Sequence, residues 1–372
     1  MRNEVIKLDT LDLTNKYKEI EMTRKKLLML IGSVCLALVL VLPVAAGCAA
    51  PAPTPTPTPT PELPSVKWDL YNWELVGTYP ATAVSELIEK ISDRTDGKFQ
   101  ITGYYGGLAL GFDQGEIQFA IRDGIIDIGA ISLGGASGVI PWFGIFQRPG
   151  LCSWPEGLYQ LSDAVSPVFQ RELTKMFDIT PVMFFTSFPQ QLWTVTPVED
   201  VTDLGGLKVR VWDEATASLS EAMGGMTILL SFQEVYLALQ LGTIKGVITG
   251  NDGVLAGSLW EFVKHGYLVG MSTPTYYMAY NNESFERLPD EYKTILLEEL
   301  ERWSKEYALG LVEWDARVRV KLEAKGVQLH ELSVQERLVI GGRLIPLWQE
   351  WADKGGPIAQ ELLDIAFETL GY

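Results

Sequence analysis

The chain has 372 residues, which is enough to bury one large or two medium-sized hydrophobic cores. Acidic residues number 47 and basic residues 30, a formal net charge of −17, so the sequence lacks the basic field of a nucleic-acid-binding protein and we expect no nucleic-acid partner. Its three cysteines and two histidines form no CxxC, HExxH or Ser/His/Asp pattern, and we therefore expect neither a metal nor a cofactor.

A secretory leader is predicted at the N-terminus. Three basic residues at 24–26 precede an uninterrupted apolar run over 27–44, which ends in small residues and then Cys48. A basic stretch, an apolar core and small residues before a cut are typical of a signal peptide, and a cysteine at the junction is typical of a bacterial lipoprotein. We expect removal of residues 1–47 and acylation of Cys48. The alternative is a transmembrane anchor, because the run approaches membrane-spanning length.

Proline alternates with threonine or alanine over residues 51–61. Such a sequence does not pack into a core and adopts an extended polyproline-type conformation of about 3.1 Å per residue, which would hold a folded domain about 30 Å from its anchor. Residues 48–64 are therefore predicted to be a tether. It would place the folded part outside the cytoplasm, in the periplasm or on the outer face of the cell membrane.

The folded part opens with a strand, a helix and a second strand. Apolar residues alternate over 66–71, recur with helical spacing over 80–94 and alternate again over 99–105. This order predicts an α/β protein with a doubly wound sheet. Asn72 and Trp73 lie in the turn after the first strand, where ligands commonly bind in such sheets, and both are candidate ligand contacts.

The segment from 203 to 250 is predicted to hold the centre of a binding site. Its first strand, over 207–212, places three apolar side chains on one face and Lys208, Arg210 and Trp212 on the other, because strand side chains alternate. A helix is predicted to begin near Asp213. Arg210 thus lies where a strand ends and a helix begins, the usual place for a ligand in open α/β sheets.

A capping box of Ser231 and Glu234 predicts the start of a second helix, and a strand over 243–249 follows the glycine that ends it. An earlier segment has the same plan, since residues 116–132 align without gaps on residues 234–250, and both read as helix, glycine and buried strand. Coincidence is the alternative, because this order is common. A true repeat predicts a two-lobed clamshell with its ligand between the lobes.

Two motifs in combination resemble a known family. DLGGLKVRV begins at Asp203, and FQEVYLALQ begins at Phe232. Together, within a likeness over roughly residues 66–340, they resemble the solute-binding proteins of tripartite ATP-independent periplasmic (TRAP) transporters, of the C4-dicarboxylate-binding type. The resemblance implies a periplasmic-binding-protein-like fold that closes on an organic acid and delivers it to a small and a large membrane permease subunit. It also implies that Arg210 binds the ligand carboxylate.

The same resemblance implies further contacts. A second polar contact falls on Gln190, with Gln191 and Trp193 as the adjacent alternatives, and the strand end of the first repeat unit implies Ser132. Glutamine adds no charge, which favours a monocarboxylate or keto acid over a dicarboxylate. The remaining candidates follow the strands of the second unit: Trp212, Thr249 and Asn251. Trp212 stands where the family commonly has proline, and Ser132 where its sialic-acid-like members have an acidic residue, so the ligand stays open.

The chain is predicted to cross between the lobes at hinges near 186–190 and 272–277. The predicted lobes are, in residue numbers, 65–187 plus 276–315 for the first, and 188–275 plus 316–372 for the second with the bridging helices. Apolar stripes predict one long helix to about residue 325 and another over 334–353, with a break at Gly355–Gly356–Pro357 and a last helix to 370. These helices would bridge the back of both lobes.

Two other functions stay open at this point. A receptor of the same fold would serve a signalling system, in which case a kinase gene and not permease genes would lie beside it. An extracytoplasmic enzyme is the more remote alternative, because acid–base catalysis needs paired groups that the sequence does not display. His265, expected after a helix over 256–264, and His330, expected in a surface segment, are both interpreted as structural.

Overall fold

A computed structural model of the protein describes residues 62–106 and 110–372. Within these ranges the chain forms two mixed β-sheets flanked by helices, which confirms the α/β, two-lobed fold class. None of the helices in the described ranges is both long and apolar enough to cross a membrane. The predicted leader, Cys48 and all but the last three residues of the predicted tether lie outside the described residues.

The first sheet contains five strands, with three parallel strands at one side and an antiparallel strand inserted before the last. In spatial order they are β2 (Phe99–Tyr105), β1 (Val66–Asn72), β3 (Ile128–Ser132), β10 (Thr275–Asn281) and β4 (Ile179–Thr186). Strand β10 joins this sheet late in the sequence and pairs antiparallel with both β3 and β4.

The second sheet contains six shorter strands. In spatial order they are β11 (Gln328–Glu331), β9 (His265–Leu268), β5 (Gln191–Thr194), β8 (Gly246–Thr249), β6 (Lys208–Val211) and β7 (Met226–Leu229). Strand β6, which carries Arg210, is parallel to both of its neighbours.

Ten helices cover the two sheets in the described residues, together with two 3₁₀ segments, Pro141–Gln147 and Leu259–Glu261. The helices are α1 (Tyr79–Arg94), α2 (Ile117–Arg122), α3 (Leu133–Ala136), α4 (Glu156–Phe177), α5 (Glu214–Ala222), α6 (Phe232–Gln240), α7 (Asn251–Ala256), α8 (Asn282–Glu286), α9 (Asp290–Ala324) and α10 (Val334–Leu370). Both predicted helix starts in the central segment are confirmed, because Asp213 and Ser231 are the N-caps of α5 and α6, each in a capping box.

Alternating side chains give each sheet two buried faces. In the first sheet Phe184 and Tyr277 pack under α2, α4 and the second half of α10, whereas Phe185 and Tyr276 pack under α1 and α9. The second sheet is covered by α5 and the first half of α10 on one face, and by α6, α7 and the end of α9 on the other. Each large apolar side chain buried in this way contributes about 1.5–3 kcal/mol relative to its exposed state.

The two segments that align in sequence also share one structural plan. Strand β3 lies between the parallel β1 and the antiparallel β10, and β8 lies between the parallel β6 and the antiparallel β5. The glycines that end the preceding helices, Gly124 and Gly242, have φ values of 66° and 72°, which a residue with a side chain adopts only with strain. The sequence alignment therefore reflects equivalent positions in the two sheets.

Helices α9 and α10 each contribute side chains to the cores of both sheets. The first part of α9 packs on the first sheet, while Val318 and Leu322 near its end join the core of the second. Helix α10 runs the other way, with Leu344 in the second core and Trp348 in the first, and its non-helical residue Gly356 (φ 76°, ψ −163°) lies at the predicted break. Both helices thus join the sheets at the back, as predicted.

Two further segments cross between the sheets, residues 187–190 and 269–274, and they overlap the predicted hinges. They run side by side, because the backbone N–H of Ser187 donates to the carbonyl of Pro274 at 2.8 Å and that of Gln190 to the carbonyl of Ser272 at 2.7 Å. Movement of one sheet relative to the other at this point would bend both segments together.

Three parts of the second sheet differ from the sequence-based predictions. Strand β7 was not predicted, since its four residues follow two glycines and form a half-exposed sheet edge without clear alternation. The predicted helix over 256–264 is wrong, because α7 ends at Ala256 and His265 begins strand β9. His330 lies in the unpredicted strand β11, with its Nε2 atom 3.2 Å from Nδ1 of His265.

Candidate functional site

A cleft of about 800 Å³ opens between segments of the two sheets. It lies at the carboxyl ends of β1, β3, β6 and β8, where open α/β sheets bind ligands. In the described residues its wall combines aromatic side chains, carboxylates and a single arginine, and it includes Trp73, Glu74, Asp113, Gly134, Gly135, Ser187, Gln190, Arg210, Trp212, Asp213, Glu214, Phe232, Glu234, Thr249, Asp252, Pro274 and Tyr276.

Arg210 is the positive charge of this wall. Its side chain is nearly buried, with the residue 3% exposed, and it is oriented by backbone carbonyls: Nε donates to Leu230 at 2.9 Å and Nη1 to Ile248 at 3.4 Å. The guanidinium carbon also lies 5.9 Å from the centre of the Phe232 ring. The cation is thus held by neutral groups on its strand neighbours.

Arg210 forms no ion pair with any residue in the described part of the chain, so the surface salt bridge to Asp213 or Glu214 that would explain it structurally is absent. Burial lowers the pKa of Arg210 to about 10, and the more distant charges of Asp213 and Glu234 oppose that change. A buried cation without a paired anion is costly, and an anion that enters the cleft would relieve that cost. This arrangement suits the carboxylate of a ligand.

Gln190 and Trp212 lie side by side on the cleft wall. The indole Nε1 of Trp212 donates to Oε1 of Gln190 at 3.1 Å, and Nε2 of Gln190 donates to the carbonyl of Phe188 at 3.1 Å. The amide is therefore fixed in orientation without any charge. Trp73 and Thr249, two further candidates from the sequence, also line the cleft.

The structure places the other four candidates behind the wall. Trp193 is fully buried in the second core, where its Nε1 donates to the carbonyl of Thr249 at 2.9 Å. Ser132 turns back to cap the N–H of Gly135 at 3.2 Å, so Gly134 and Gly135 form the wall in its place. The side-chain amides of the remaining two are buried and form hydrogen bonds within the protein: Asn72 accepts from the N–H of Glu74, and Asn251 donates to Asp315.

Gly134 permits the two sheets to approach each other at the cleft. A Cβ atom at this position would lie 3.0 Å from Cη2 of Trp212 and 3.1 Å from Oδ2 of Asp213, which both follow strand β6 of the second sheet, and 3.1 Å from Cγ of Gln147 on the side of the first sheet. Asp213 uses Oδ1 to cap the N–H of Thr216 at 2.8 Å, whereas its buried Oδ2 has no hydrogen-bond partner among the described residues. Burial raises the pKa of Asp213.

The model of the family described as bacterial extracellular solute-binding protein, family 7, matches residues 77–354. The chain belongs to this family. The match includes strand β6 with Arg210 and helix α6, the two motifs on which the sequence resemblance depends, and it confirms the resemblance to TRAP solute-binding proteins.

Individual relatives support the same family assignment. The C4-dicarboxylate-binding periplasmic protein DctP of Rhodobacter capsulatus is 25% identical over 281 residues, which cover 74% of this chain and 82% of the relative. DctP7, a Bordetella pertussis extracytoplasmic solute receptor that binds pyroglutamic acid, is similar in structure, with a TM-score of 0.74, 21% identity, and coverage of 81% of this chain and 99% of that one. At this identity the structural likeness shows the fold.

A second solved structure has a different ligand. A TRAP periplasmic solute-binding protein from Desulfovibrio salexigens with bound orotic acid superposes with a TM-score of 0.72 at 17% identity, over 82% of this chain and 98% of the other. Family 7 consists of bacterial extracellular solute-binding proteins, and the two structural relatives named here bind pyroglutamic acid and orotic acid. The family is extracytoplasmic.

The cleft of this family 7 protein also contains carboxyl groups that sequence analysis did not select. Glu74 follows strand β1, and its Oε1 accepts a hydrogen bond of 2.7 Å from the hydroxyl of Tyr276 on β10. Burial raises the pKa of Glu74 to about 7; hydrogen bonds from Tyr276 and Ser187 oppose the increase, and the charge of Asp252 adds to it. The environment of Glu74 could not be predicted from the sequence, because its hydrogen-bond partners come from distant segments.

Asp252, at the start of α7, reaches across to the first lobe's helix α1. Its Oδ2 accepts from the backbone N–H of Tyr79 at 3.1 Å and its Oδ1 from the indole of Trp314 at 3.1 Å. Thr78, the N-cap of α1, makes no side-chain capping bond, so Asp252 satisfies an amide at the start of this helix in its place. Burial raises the pKa of Asp252. No cluster of metal-ligating side chains occurs in the described ranges.

Proposed function

We propose that this protein is the extracytoplasmic receptor of a TRAP-type secondary transporter and that it binds a small organic acid through Arg210. The observation that carries the proposal is the position of Arg210, a buried guanidinium on the wall of the interlobe cleft that no carboxylate of the described residues neutralises. A guanidinium can donate two parallel hydrogen bonds to a carboxylate, which gives both charge and orientation.

The wall favours a ligand with one carboxylate. Arg210 is the single cation that lines it in the described residues, and the neighbouring Gln190 supplies a neutral amide that Trp212 and Phe188 fix in place. A second carboxylate on the ligand would face carboxyl groups such as Asp213 and Glu234. We therefore propose that the ligand is a monocarboxylate or keto acid, in preference to a dicarboxylate. The pyroglutamic and orotic acids bound by two structural relatives are acids of comparable size.

Delivery to membrane permease subunits is part of the proposal. The closed receptor would present its ligand to a small and a large subunit, with lobes that move at the paired crossing segments 187–190 and 269–274. A lipid on Cys48 and the tether over 48–64 would keep the folded part at the membrane. The proposed lobes are residues 65–187 plus 276–315, and residues 188–275 plus 316–372 with the bridging helices, of which the second half of α10 packs on the first sheet.

Native mass spectrometry of the purified protein tests the function. We expect a bound species whose mass and fragmentation identify a carboxylic acid, because a closed cleft retains a tight ligand through purification. Arg210→Ala should lose that species while the folded chain persists. Recovery of a ligand that has no carboxylate, or undiminished retention by the variant, would contradict the proposal.

A further inference from the structure

The cleft contains an excess of negative charge that a carboxylate ligand alone does not explain. Among the described residues, one arginine and six carboxyl groups line the wall, the latter being Glu74, Asp113, Asp213, Glu214, Glu234 and Asp252. An anionic ligand must enter this field, so each carboxyl group that faces the cleft either has a structural task or contacts the ligand.

Four of the six cap backbone amides. Asp213 accepts from Thr216 at 2.8 Å at the start of α5, and Glu234 accepts from Ser231 at 2.9 Å at the start of α6. Asp252 likewise accepts a hydrogen bond from the backbone N–H of Tyr79, and Asp113 accepts one from the backbone N–H of Gly115. Glu214 is exposed in the first turn of α5, where a negative charge is favourable at a helix N-terminus.

Glu74 is the remaining carboxyl group, and it has a different environment. The hydroxyl groups of Tyr276 and Ser187 donate hydrogen bonds to its carboxylate, and no cation lies within 4 Å of it among the described residues. A carboxylate can accept about four hydrogen bonds. Glu74 is mostly buried at the cleft wall, so two acceptor positions have no protein donor and lie where a ligand would supply one.

We infer that Glu74 is a specificity-determining residue, which accepts a hydrogen bond from an N–H or O–H group of the ligand. The ligand class is then a small monocarboxylic acid that carries a hydrogen-bond donor apart from its carboxylate, such as a lactam, hydroxy or amino acid. This inference rests on the proposed function, since it takes Arg210 as the anchor of the carboxylate. Buried polar groups left unpaired discriminate strongly against ligands that lack the matching group.

The ionisation of Glu74 makes this discrimination depend on pH. The titratable groups that face Glu74 are Tyr276 on β10, Asp252 on α7 and Tyr307 on α9, with the hydroxyl of Ser187 from the crossing segment. Above the pKa of about 7 the carboxylate only accepts hydrogen bonds, whereas below it the protonated carboxyl can also donate one. Preference for donor-bearing ligands should therefore be stronger at pH 8 than at pH 5.5.

Calorimetry with matched pairs of acids tests the inference. One pair is 5-oxoproline and its lactone counterpart, 5-oxotetrahydrofuran-2-carboxylate, which differ by a ring N–H against a ring oxygen; a second is a 2-hydroxy acid and its 2-methoxy ether. At pH 8 we expect the donor-bearing member of a pair to bind the wild type at least tenfold more tightly, and the ratio to decrease at pH 5.5. Equal affinities within every pair, or tighter binding of the donor-free acid, would overturn the inference.

Two variants separate the two recognition groups. Glu74→Gln should weaken only the donor-bearing acids and bring the ratio toward one, whereas Arg210→Lys should weaken both members of a pair alike. Glu89→Gln, on the exposed side of α1, is the matched control and should keep the wild-type ratio. An unchanged ratio in Glu74→Gln overturns the role of Glu74 and leaves the proposed function intact. If no carboxylic acid binds the wild type at all, the proposed function fails and the inference fails with it.

Discussion

The Nε atom of Arg210 donates a 2.9 Å hydrogen bond to the backbone carbonyl oxygen of Leu230. Leu230 directly follows strand β7 at the edge of the second sheet. The sequence did not predict this strand, yet the residue after it orients Arg210, which the sequence did predict. With Nε and Nη1 both held by carbonyl groups, the guanidinium has one orientation before a ligand arrives. Such preorganisation lowers the entropy cost of binding.

Arg210→Lys is expected to weaken binding of the native ligand at least tenfold. Lysine keeps the charge but loses the two parallel donors and the bonds to Leu230 and Ile248. Loss of a whole partner of a desolvated charge pair would cost about 2–5 kcal/mol and loss of a surface pair about 0–1 kcal/mol, and the tenfold effect expected when only the paired donors are lost corresponds to about 1.4 kcal/mol. Calorimetry with the native ligand measures the difference, and wild-type affinity in the variant would remove Arg210 as the anchor.

Arg148→Lys is the matched control for that experiment. Arg148 is also buried and bonded to a backbone carbonyl, that of Gly144 at 2.9 Å, and it stacks on Trp351 at 5.1 Å, but it does not line the cleft. We expect this variant to lose stability and to keep its affinity. The pair of variants therefore separates the cost of disturbing any buried arginine from the loss of ligand recognition.

The apo protein is expected to lose stability as the pH rises from about 4.5 to about 7, in part because of Glu74. Its pKa is raised from 4.5 to about 7 in the folded state, so between these values the folded chain binds this proton and the unfolded chain does not. One pKa unit corresponds to about 1.4 kcal/mol, and we expect a contribution of about 1–3 kcal/mol that is lost above pH 7.

Urea unfolding at pH 5 and pH 8 measures this contribution as the difference between wild type and Glu74→Gln. The subtraction removes the effect of Asp213, whose pKa burial also raises, and it includes the interaction of Glu74 with the charge of Asp252. The variant should gain stability relative to wild type at pH 8 and little at pH 5. Curves that stay parallel across this range would show that Glu74 ionises at its ordinary pKa.

A side chain at residue 134 is expected to prevent closure of the cleft. A Cβ atom there meets Trp212 at 3.0 Å and Asp213 at 3.1 Å, and the further methyl groups of Gly134→Val would extend into the same space. Solution scattering should show a smaller radius of gyration of the wild type when ligand is bound, and no such decrease for the variant. Gly342→Val, where nothing lies within 4 Å of a Cβ atom, should close like the wild type.

Cys48→Ala is expected to leave an unprocessed precursor. The prediction depends on the Ala-Ala-Gly-Cys junction after the apolar run, since the cysteine is the residue that a lipoprotein signal modifies before it is cut. Metabolic labelling with a fatty acid and gel mobility of the membrane fraction measure the outcome. Membrane-bound protein of normal size from this variant would favour a different mode of attachment.

The sequence predicted the elements that carry their own local signals. Helix α6 has a capping box and a glycine stop, and α9 has a long apolar stripe, so the start of α6 and the extent of α9 were predicted closely. Strands β7, β9 and β11 are four residues long, and their pairing with strands distant in sequence stabilises them. Local pattern carries too little information to predict such strands.

The same distinction applies to the cleft. Arg210 was predicted because its position near the end of a strand, within a family motif, is visible in sequence, but Glu74 becomes distinctive only through Tyr276, 202 residues away. Ser132 was selected by its position at a strand end and Trp193 by its place beside Gln190, yet helix capping and core packing turn the two side chains away from the cleft. Side-chain direction at a strand end depends on tertiary contacts that spacing does not specify.

Helix α9 is one unbroken rod of 35 residues, about 50 Å long, with apolar side chains in both cores. A protease that cut the chain within 269–274 would nick the molecule without releasing either half, because this rod and α10 still fasten the two sheets together. For the same reason neither lobe is encoded by one continuous stretch of the gene. Fragments that meet in such a crossing segment are therefore suited to reassembly, and a reporter split at this point would sense the bending of the crossing itself.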